Sequence, residues 1–451
     1  MKLLELLKSK SIQKTAIMIA TFTFLSQLLS LIRDRLFANQ IGAGLVLDSY
    51  YYAFRIPDIL FAIFTSLVSV TVLIPLLVKY DKDNDPISMK KVYNLLFSVF
   101  FLFSTIVIAL LVVFMPYLVK NLVAPGVIDL NVVDNIILYS RLLLLQPFFL
   151  GLSNLLGSYT QMRERFLLYS LSPLVYNIST ILGLVFLYPV YGIKGVIYGI
   201  IFGSILHGLI QVPFVKNNKF LPKFVKFNRQ DMHIIKDIVL SSLPRAFILS
   251  LVQIEFLFFN SFASLSKAGN TSILNFANNL QSVPMALIGV SFVVAAFPIF
   301  SKRYAEGNEA WFWNIFKYTA KKIFIYCGLA TVAIWFLKDY IVLILLGDIA
   351  SYKTIALAFG IFSLSLIPQC IELLITRVYY ARNNNYKPAI LNIFLTLLMI
   401  VLAYYSDKTA VGIATAFTIG SWVSCIVFWI SIQKIFRHHK KVEISDEIIK
   451  V

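Results

Sequence analysis

Cysteine, histidine and acidic residues are all scarce in this 451-residue chain, and each shortage removes a class of function. The three cysteines, Cys327, Cys370 and Cys425, lie inside apolar runs with no C-x-x-C or metal-ligand spacing, which excludes a disulfide framework and reads as ordinary buried thiols. The four histidines, His207, His233, His438 and His439, are too scattered to hold a metal. No G-x-x-x-x-G-K, H-E-x-x-H or G-x-S-x-G occurs, so no catalytic residue, metal or resident cofactor is expected and the chain reads as no enzyme. Charge is scarce as well. With 14% charged against 59% hydrophobic residues, a soluble fold is excluded, and a polytopic all-α membrane protein follows.

What is abundant is long apolar runs. A span needs about 20 mostly apolar residues to cross a hydrocarbon core of about 30 Å. Twelve stretches qualify: 12–32, 56–78, 92–115, 136–158, 167–188, 193–215, 238–263, 272–300, 318–337, 354–376, 388–405 and 409–432. The first follows Lys8, Lys10 and Lys14 like a signal peptide, but it ends in Leu-Ile-Arg-Asp-Arg rather than at small residues and is read as a retained helix.

The formal charge of +18 would suggest nucleic acid as the partner of a soluble chain; here it reports orientation instead, and no nucleic-acid partner is expected. With the N-terminus placed in the cytoplasm, 29 of the 40 Lys and Arg fall in segments on that side and 8 on the other. The remaining 3, Arg55, Arg141 and Arg245, lie in or at the edges of spans. Both termini are therefore expected in the cytoplasm.

The longest polar stretch divides the spans six and six. The expected organisation is an N-terminal lobe at 1–215, a cytoplasmic linker at 216–237, a C-terminal lobe at 238–432 and a cytoplasmic tail at 433–451. The halves repeat one another. Pro173 and Asn177 recur as Pro388 and Asn392, and the helix after each carries small residues, Gly195, Gly199, Gly203 and Ser204, then Gly412, Ala416, Gly420 and Ser421. Such spacing lets helix backbones approach closely. An even helix count per repeat predicts parallel repeats, pseudo-symmetric lobes around a central cavity in which cargo binds.

Polar side chains mark two helices. Thr23, Ser26, Gln27, Ser30, Arg33 and Asp34 share one face of helix 1, and Asn275, Asn278, Asn279 and Ser282 share one face of helix 8, which runs into Pro284. Neither stripe faces lipid cheaply, which leaves interhelical hydrogen bonding or a shared polar cavity. The ionisable groups within or bordering the membrane are Arg55, Arg141, Arg245, Asp58, Glu255 and Glu372. Arg33, Arg55 and Arg245 suit an anion, because guanidinium grips phosphate through paired hydrogen bonds and stays protonated. Arg141 reads as an anchor for helix 4. Glu255 either binds a coupling Na⁺ or proton or neutralises Arg245.

The run Ser26-Gln27 to Arg33-Asp34, then Ile41-Gly42-Ala43-Gly44, Asp48, Ala53-Phe54-Arg55-Ile56-Pro57-Asp58 and Pro75, resembles the MurJ/MviN family of lipid II flippases. Ala124-Pro125-Gly126, Pro173 with Asn177, Phe276-Ala277 through Pro284 to Pro298, and Tyr379-Tyr380-Ala381-Arg382 before Pro388 extend the resemblance over nearly the whole chain. It implies a multi-pass protein of the bacterial plasma membrane that moves an undecaprenyl-pyrophosphate-linked peptidoglycan precursor to the outer leaflet by alternating access, in cell wall biogenesis. Of the residues proposed to bind cargo, Arg33 and Arg55 match the family's pattern; in the flippase reading Arg33, Arg55 and Arg245 hold the phosphates, Gln27, Asn278 and Asn279 contact sugars, and Ser26 is a further substrate-binding residue. Asp34, Asp58 and Glu255 are left as ion-coupling or ion-pair groups. Coupling to Na⁺, H⁺ or membrane potential, contact with membrane lipids and partnership with cell-wall synthesis proteins are expected. The chain departs from the family at Gln27, Asp58, Phe61-Ala62, Thr65-Ser66-Leu67-Val68 and Asn279, and it shows twelve spans where the family has fourteen. A flippase for another lipid-linked oligosaccharide and a multidrug/cation antiporter of the same superfamily are the alternatives. The latter would want an acidic, aromatic cavity.

Overall fold

The computed structural model describes residues 12–68, 73, 77–78, 85–226, 228, 231–306, 309–382, 384 and 386–436; Pro75, His438 and His439 lie outside them. Regular structure among the described residues is entirely helical. In chain order the helical runs are α1 Ile12–Gln40, α2 Leu45–Leu67, α3 Pro86–Val123, α4 Leu130–Met162, α5 Phe166–Tyr191, α6 Ile193–Asn217 and α7 Asp231–Ser264. Then come α8 Asn270–Tyr304, α9 Glu309–Leu346, α10 Tyr352–Ser363 with Leu366–Ala381, α11 Tyr386–Tyr405 and α12 Ala410–Phe436. Each of the twelve expected stretches falls on one of these runs.

Nine runs among the described residues, or ten counting the bent pair that forms α10, are long and apolar enough to cross a membrane. The second span is also corrected by the structure, since α2 begins at Leu45, well before the expected residue 56. Its first half carries Asp48, Ser49, Tyr50, Tyr51 and Arg55, all buried in protein rather than facing lipid, so a hydropathy window passes over it.

Proline shapes several runs, and the carbonyls it releases are recovered by neighbours. Pro116 has no N–H for the Val112 carbonyl, and Arg141 Nε of α4 donates to that oxygen at 2.9 Å. Pro368 likewise leaves the Leu364 carbonyl, which accepts from Trp422 Nε1 of α12 at 3.1 Å, at the point where α10 bends by 41°. Wider π turns follow Pro116 at Val119–Val123 and Pro284 at Met285–Val290. Arg141 is thus a structural donor between α4 and α3.

Contacts group the chain into two compact units, Met1–Ala268 and Gly269–Val451. The sequence reading placed 238–263 in the second lobe, whereas α7 belongs by contacts to the first unit. Near its start the Ser242 carbonyl accepts from Ser66 Oγ of α2 at 3.1 Å. At its end Ser264 Oγ accepts from the Gly126 N–H at 3.0 Å, and a Cβ at Gly126 would lie 2.0 Å from the Ser264 carbonyl oxygen. Also in this unit, a Cβ on Gly199 of α6 would meet Gly183 Cα of α5 at 2.7 Å, so the small-residue stripe brings two backbones together.

In the second unit the matching stripe packs differently, because Gly420 of α12 faces the Met399 side chain of α11. There Glu372 of α10 accepts a hydrogen bond from Ser424 Oγ of α12, and Tyr379 shares one with Ser431 at 2.7 Å. Cys327 and Cys370 are buried, as their apolar settings predict.

The described part of the expected linker is clipped along α3. Asn94 Oδ1 accepts from the Lys223 N–H and Ser98 Oγ from the Val225 N–H, both at 2.9 Å, one helical turn apart. Lys91 Nζ meets Asp231 Oδ1 at 2.9 Å, and the Asn228 N–H donates to the other carboxylate oxygen at 3.0 Å. The Lys91 hydrogen bond, with that from Asn228, holds the Asp231 carboxyl below the usual carboxylate range. A depressed folded value gives stability that is present above the unfolded value and lost as pH falls through the folded one. The unfolding midpoint of the purified protein should therefore hold from pH 8 to 5 and drop below about pH 4. Asp231→Asn should flatten part of that drop, and an unchanged profile would remove the pair from the account.

Candidate functional site

The polar face of α1 divides into two parts. Ser26 Oγ accepts from Asn177 Nδ2 of α5 at 2.9 Å, and the same amide nitrogen lies 3.1 Å from the Pro173 carbonyl. Here the stripe is interhelical bonding. One and two turns later, Arg33 Nη2 donates to Ser30 Oγ at 3.0 Å and to Asp34 Oδ1 at 2.9 Å, with Arg33 Nε at 3.1 Å from the same carboxylate oxygen. Asp34 is only 2% exposed, and one of its carboxylate oxygens takes both Arg33 contacts.

On α2 a second pair repeats the chemistry. Arg55 is 8% exposed, donates from Nε to the Tyr51 carbonyl at 3.1 Å and lies 3.3 Å from Asp58 Oδ2. Asp58 thus places a carboxylate beside a guanidinium. Tyr50 and Tyr51 lie within the electrostatic reach of Arg33, and Tyr176 of α5 within that of both Arg33 and Asp58. The Tyr50 ring packs on Phe37 and Phe54, each at 4.8 Å between centroids, which fixes the register of α2 against the end of α1. Two guanidiniums, two carboxylates and three phenols thus gather in a single polar centre within the first unit.

Beside this centre lies a cavity of about 290 Å³ between α2, α4, α5 and α6. Phe61 and Thr65 continue the face of Asp58 along α2 at three- and four-residue steps and form one wall. Asn154, Tyr169, Tyr176 and His207 supply its polar groups. They are held from behind: Gln146 Nε2 donates to Tyr176 Oη at 2.8 Å, and Ser153 Oγ pairs with His207 Nδ1 at 2.7 Å and accepts from Gln211 Nε2 at 2.9 Å. A lining of hydroxyl, amide and imidazole groups with aromatic faces suits a neutral, hydroxyl-rich or peptide-like ligand.

Of the other expected site residues, Gln27 is half-buried on α1, Glu255 is 7% exposed on α7, and the Arg245 side chain lies outside the described residues. Asn278 and Asn279 are half-buried on α8, in the second unit. Sequence reasoning missed Tyr176, Asn154 and His207 as members of one site. Each is a single polar residue in an apolar run on a different helix, and the one available signal was the Asp58, Phe61, Thr65 spacing on α2.

A family model described as lipid II flippase MurJ matches residues 37–451. The probable lipid II flippase MurJ of Buchnera aphidicola subsp. Acyrthosiphon pisum is 26% identical over 431 residues, which cover 92% of this chain and 82% of the relative. That of Vibrio cholerae is 26% identical over 437 residues, 91% of this chain and 81% of the relative. Among solved structures, a lipid II flippase MurJ in an inward closed conformation aligns with a TM-score of 0.79 at 22% identity, over 92% of this chain and 87% of that one. An inward-facing multidrug resistance MATE family transporter aligns with a TM-score of 0.77 at 16% identity, over 94% and 100%. Likeness at these identities speaks for the fold, which is that of membrane transporters. The family rests on the sequence match across nearly the whole chain: this protein belongs to the MurJ family.

Proposed function

We propose that this protein carries lipid II from the cytoplasmic to the outer leaflet of the bacterial plasma membrane by alternating access. The observation that carries the reading is the pairing of Arg33 with Asp34 and Arg55 with Asp58 beside a polar cavity, in a chain that matches the MurJ family over residues 37–451. A pyrophosphate exchanges for the carboxylates as partner of the guanidiniums, which are fixed before it arrives. The sugar and peptide parts occupy the cavity walled by Asn154, Tyr169, Tyr176 and His207, and the polyprenyl tail stays in lipid. Gln27 and Arg245 add contacts in this scheme. A cationic drug is a poorer cargo, because Arg33 and Arg55 would repel it.

The distribution of lysine and arginine supports cytoplasmic termini. Asp34, Asp58 and Glu255 are the carboxylates at which Na⁺ or a proton would bias the cycle. The membrane potential adds about 2.3 kcal/mol per charge moved through 100 mV. Cell-wall synthesis proteins are the partners such a cargo calls for.

Depleting the protein in its native host should cause lipid II to accumulate in the cytoplasmic leaflet. Accumulation of a different undecaprenyl-linked intermediate would redirect the cargo. Asn154→Phe, which places a ring in a cavity large enough to take it, should lower lipid II exposure to an external probe at least about tenfold with an unchanged unfolding midpoint. Normal flipping by that variant would remove the cavity from the path.

A further inference from the structure

At the start of α3 the chain passes from charged to apolar within two residues: Lys90 and Lys91 are followed by Val92 and the most hydropathic span among the described residues. This junction opens onto a second cavity, about 510 Å³, lined among others by Ile87, Lys90, Lys91, Asn94, Lys219 and Phe220. Its floor is rigid. Phe220 stacks on Tyr159 with centroids 4.2 Å apart and packs against Tyr93 at 5.2 Å, while Arg163 lies over the Tyr159 ring at 5.6 Å. Its wall is the segment clipped to α3 through Asn94 and Ser98, and Lys90 Nζ donates to the Lys219 carbonyl at 2.7 Å.

The charge of this cavity is one-sided. Of the carboxylates near its rim among the described residues, Asp231 is bound to Lys91 and the Asn228 N–H, and Asp85 accepts from the Ser88 N–H at 3.0 Å. Among the described residues, Lys219 and Lys90 add positive charge that neither of these carboxylates pairs. Ile87, in the lining, is 82% exposed, and about three turns beyond Lys90 along α3 Phe224 is 55% exposed with its ring against Phe101. Lys219 also holds φ +57°, a left-handed conformation in which glycine is the favoured residue, at the turn that ends α6.

We propose that this cavity is a binding site for the phosphate headgroup of an anionic phospholipid, with Lys90 and Lys219 on the phosphate and Phe224 against a deeper part of an acyl chain. Three things select a lipid over a soluble anion: the site's place at the polar-to-apolar junction of a spanning helix, the exposed Phe224 further along that helix on the segment clipped to it, and the surface charge of an anionic leaflet. The site is separate from the Arg33 and Arg55 centre and does not depend on the identity of the cargo.

The test is binding of short-chain phosphatidylglycerol, phosphatidylcholine and inorganic phosphate to the full-length purified protein, read by native mass spectrometry or ligand-induced shift of the unfolding midpoint. Phosphatidylglycerol should bind at least about tenfold tighter than phosphatidylcholine, at roughly fivefold per lysine. Lys90→Gln with Lys219→Gln should remove that preference, and Phe224→Ser should weaken phosphatidylglycerol and leave inorganic phosphate unaffected. Lys219→Gly separates binding from folding. It relieves the left-handed backbone, so it should raise the lipid-free midpoint while weakening phosphatidylglycerol about fivefold. Unchanged affinity in Lys219→Gly and in the double variant would overturn the proposal, as would displacement of phosphatidylglycerol by equimolar inorganic phosphate.

Discussion

Arg55→Ala is expected to abolish rescue of a strain depleted of its own lipid II flippase, with the variant still present in the membrane. Arg55 is buried, its Nε is spent on the Tyr51 carbonyl, and its remaining fork faces Asp58 at 3.3 Å. Removing one partner of a fully buried pair costs about 3–5 kcal/mol because the other charge is left uncompensated, and with the Asp58 side chain 29% exposed the cost here falls below that range. That cost alone could stop growth, so a companion variant decides between folding and binding. Arg55→Ala with Asp58→Ala removes both charges together and leaves no orphan. If Arg55 serves only the fold, the double variant regains thermal stability and rescue; if it holds the cargo's phosphate, stability returns and rescue does not. Arg55→Lys should fall between, since a lysine keeps the charge but loses the planar fork. Full growth of Arg55→Ala at normal protein level would end the assignment.

Gly126→Ala should have the largest effect on stability of any single methyl group added to the first unit. The added Cβ would sit 2.0 Å from the Ser264 carbonyl oxygen and 2.4 Å from its carbon, far inside contact distance, and both are backbone atoms that no rotamer change can move aside. The loop must retreat, and with it goes the hydrogen bond from the Gly126 N–H to Ser264 Oγ. Overpacking costs typically 1–3 kcal/mol, and losing a partner for a buried polar group adds about 1–3 kcal/mol. A loss of at least about 3 kcal/mol is expected, read as a fall in the unfolding midpoint. Ser264→Ala, which removes only the hydrogen bond, should cost about 1 kcal/mol and serves as the comparison. A midpoint for Gly126→Ala within a degree or two of wild type would mean that the end of α7 is not fastened to this loop.

The sequence made most of the fold legible, and the exceptions have physical causes. Apolar length located all twelve helical runs. The start of α2 escaped because Asp48, Tyr50, Tyr51 and Arg55 look like loop residues to a hydropathy window but are covered by protein. The six-and-six division of the spans rested on the longest polar stretch, and contacts follow a different rule: Ser66 and Gly126 draw α7 to the first unit from loci distant in sequence. In the candidate site, Arg33 with Asp34 and Arg55 with Asp58 could be read directly, since each pair sits within one helical turn. The cavity could not, because Thr65, Asn154, Tyr176 and His207 come from four helices and only packing puts them together. Arg141 shows the same limit. Its partner is a carbonyl exposed by Pro116, a debt on another helix that no spacing rule records.

Helices α1 and α2, which carry two ion pairs between them, have a consequence for how the protein is made. A charged side chain at the centre of an inserting helix costs about 2.5–3.5 kcal/mol on the scale measured at the insertion machinery. Arg55 and Asp58 fall inside α2, whereas Arg33 and Asp34 follow the apolar run 12–32 of α1, and each pair is already neutralised within its own helix. Lasting cover for α2 comes from α7, which begins 164 residues after α2 ends. The hairpin of α1 and α2 is therefore expected to stay beside the translocon or a membrane chaperone until α7 arrives. A nascent chain arrested before α7 should leave α1 and α2 crosslinkable to that shelter, and one arrested beyond Ser264 should release them.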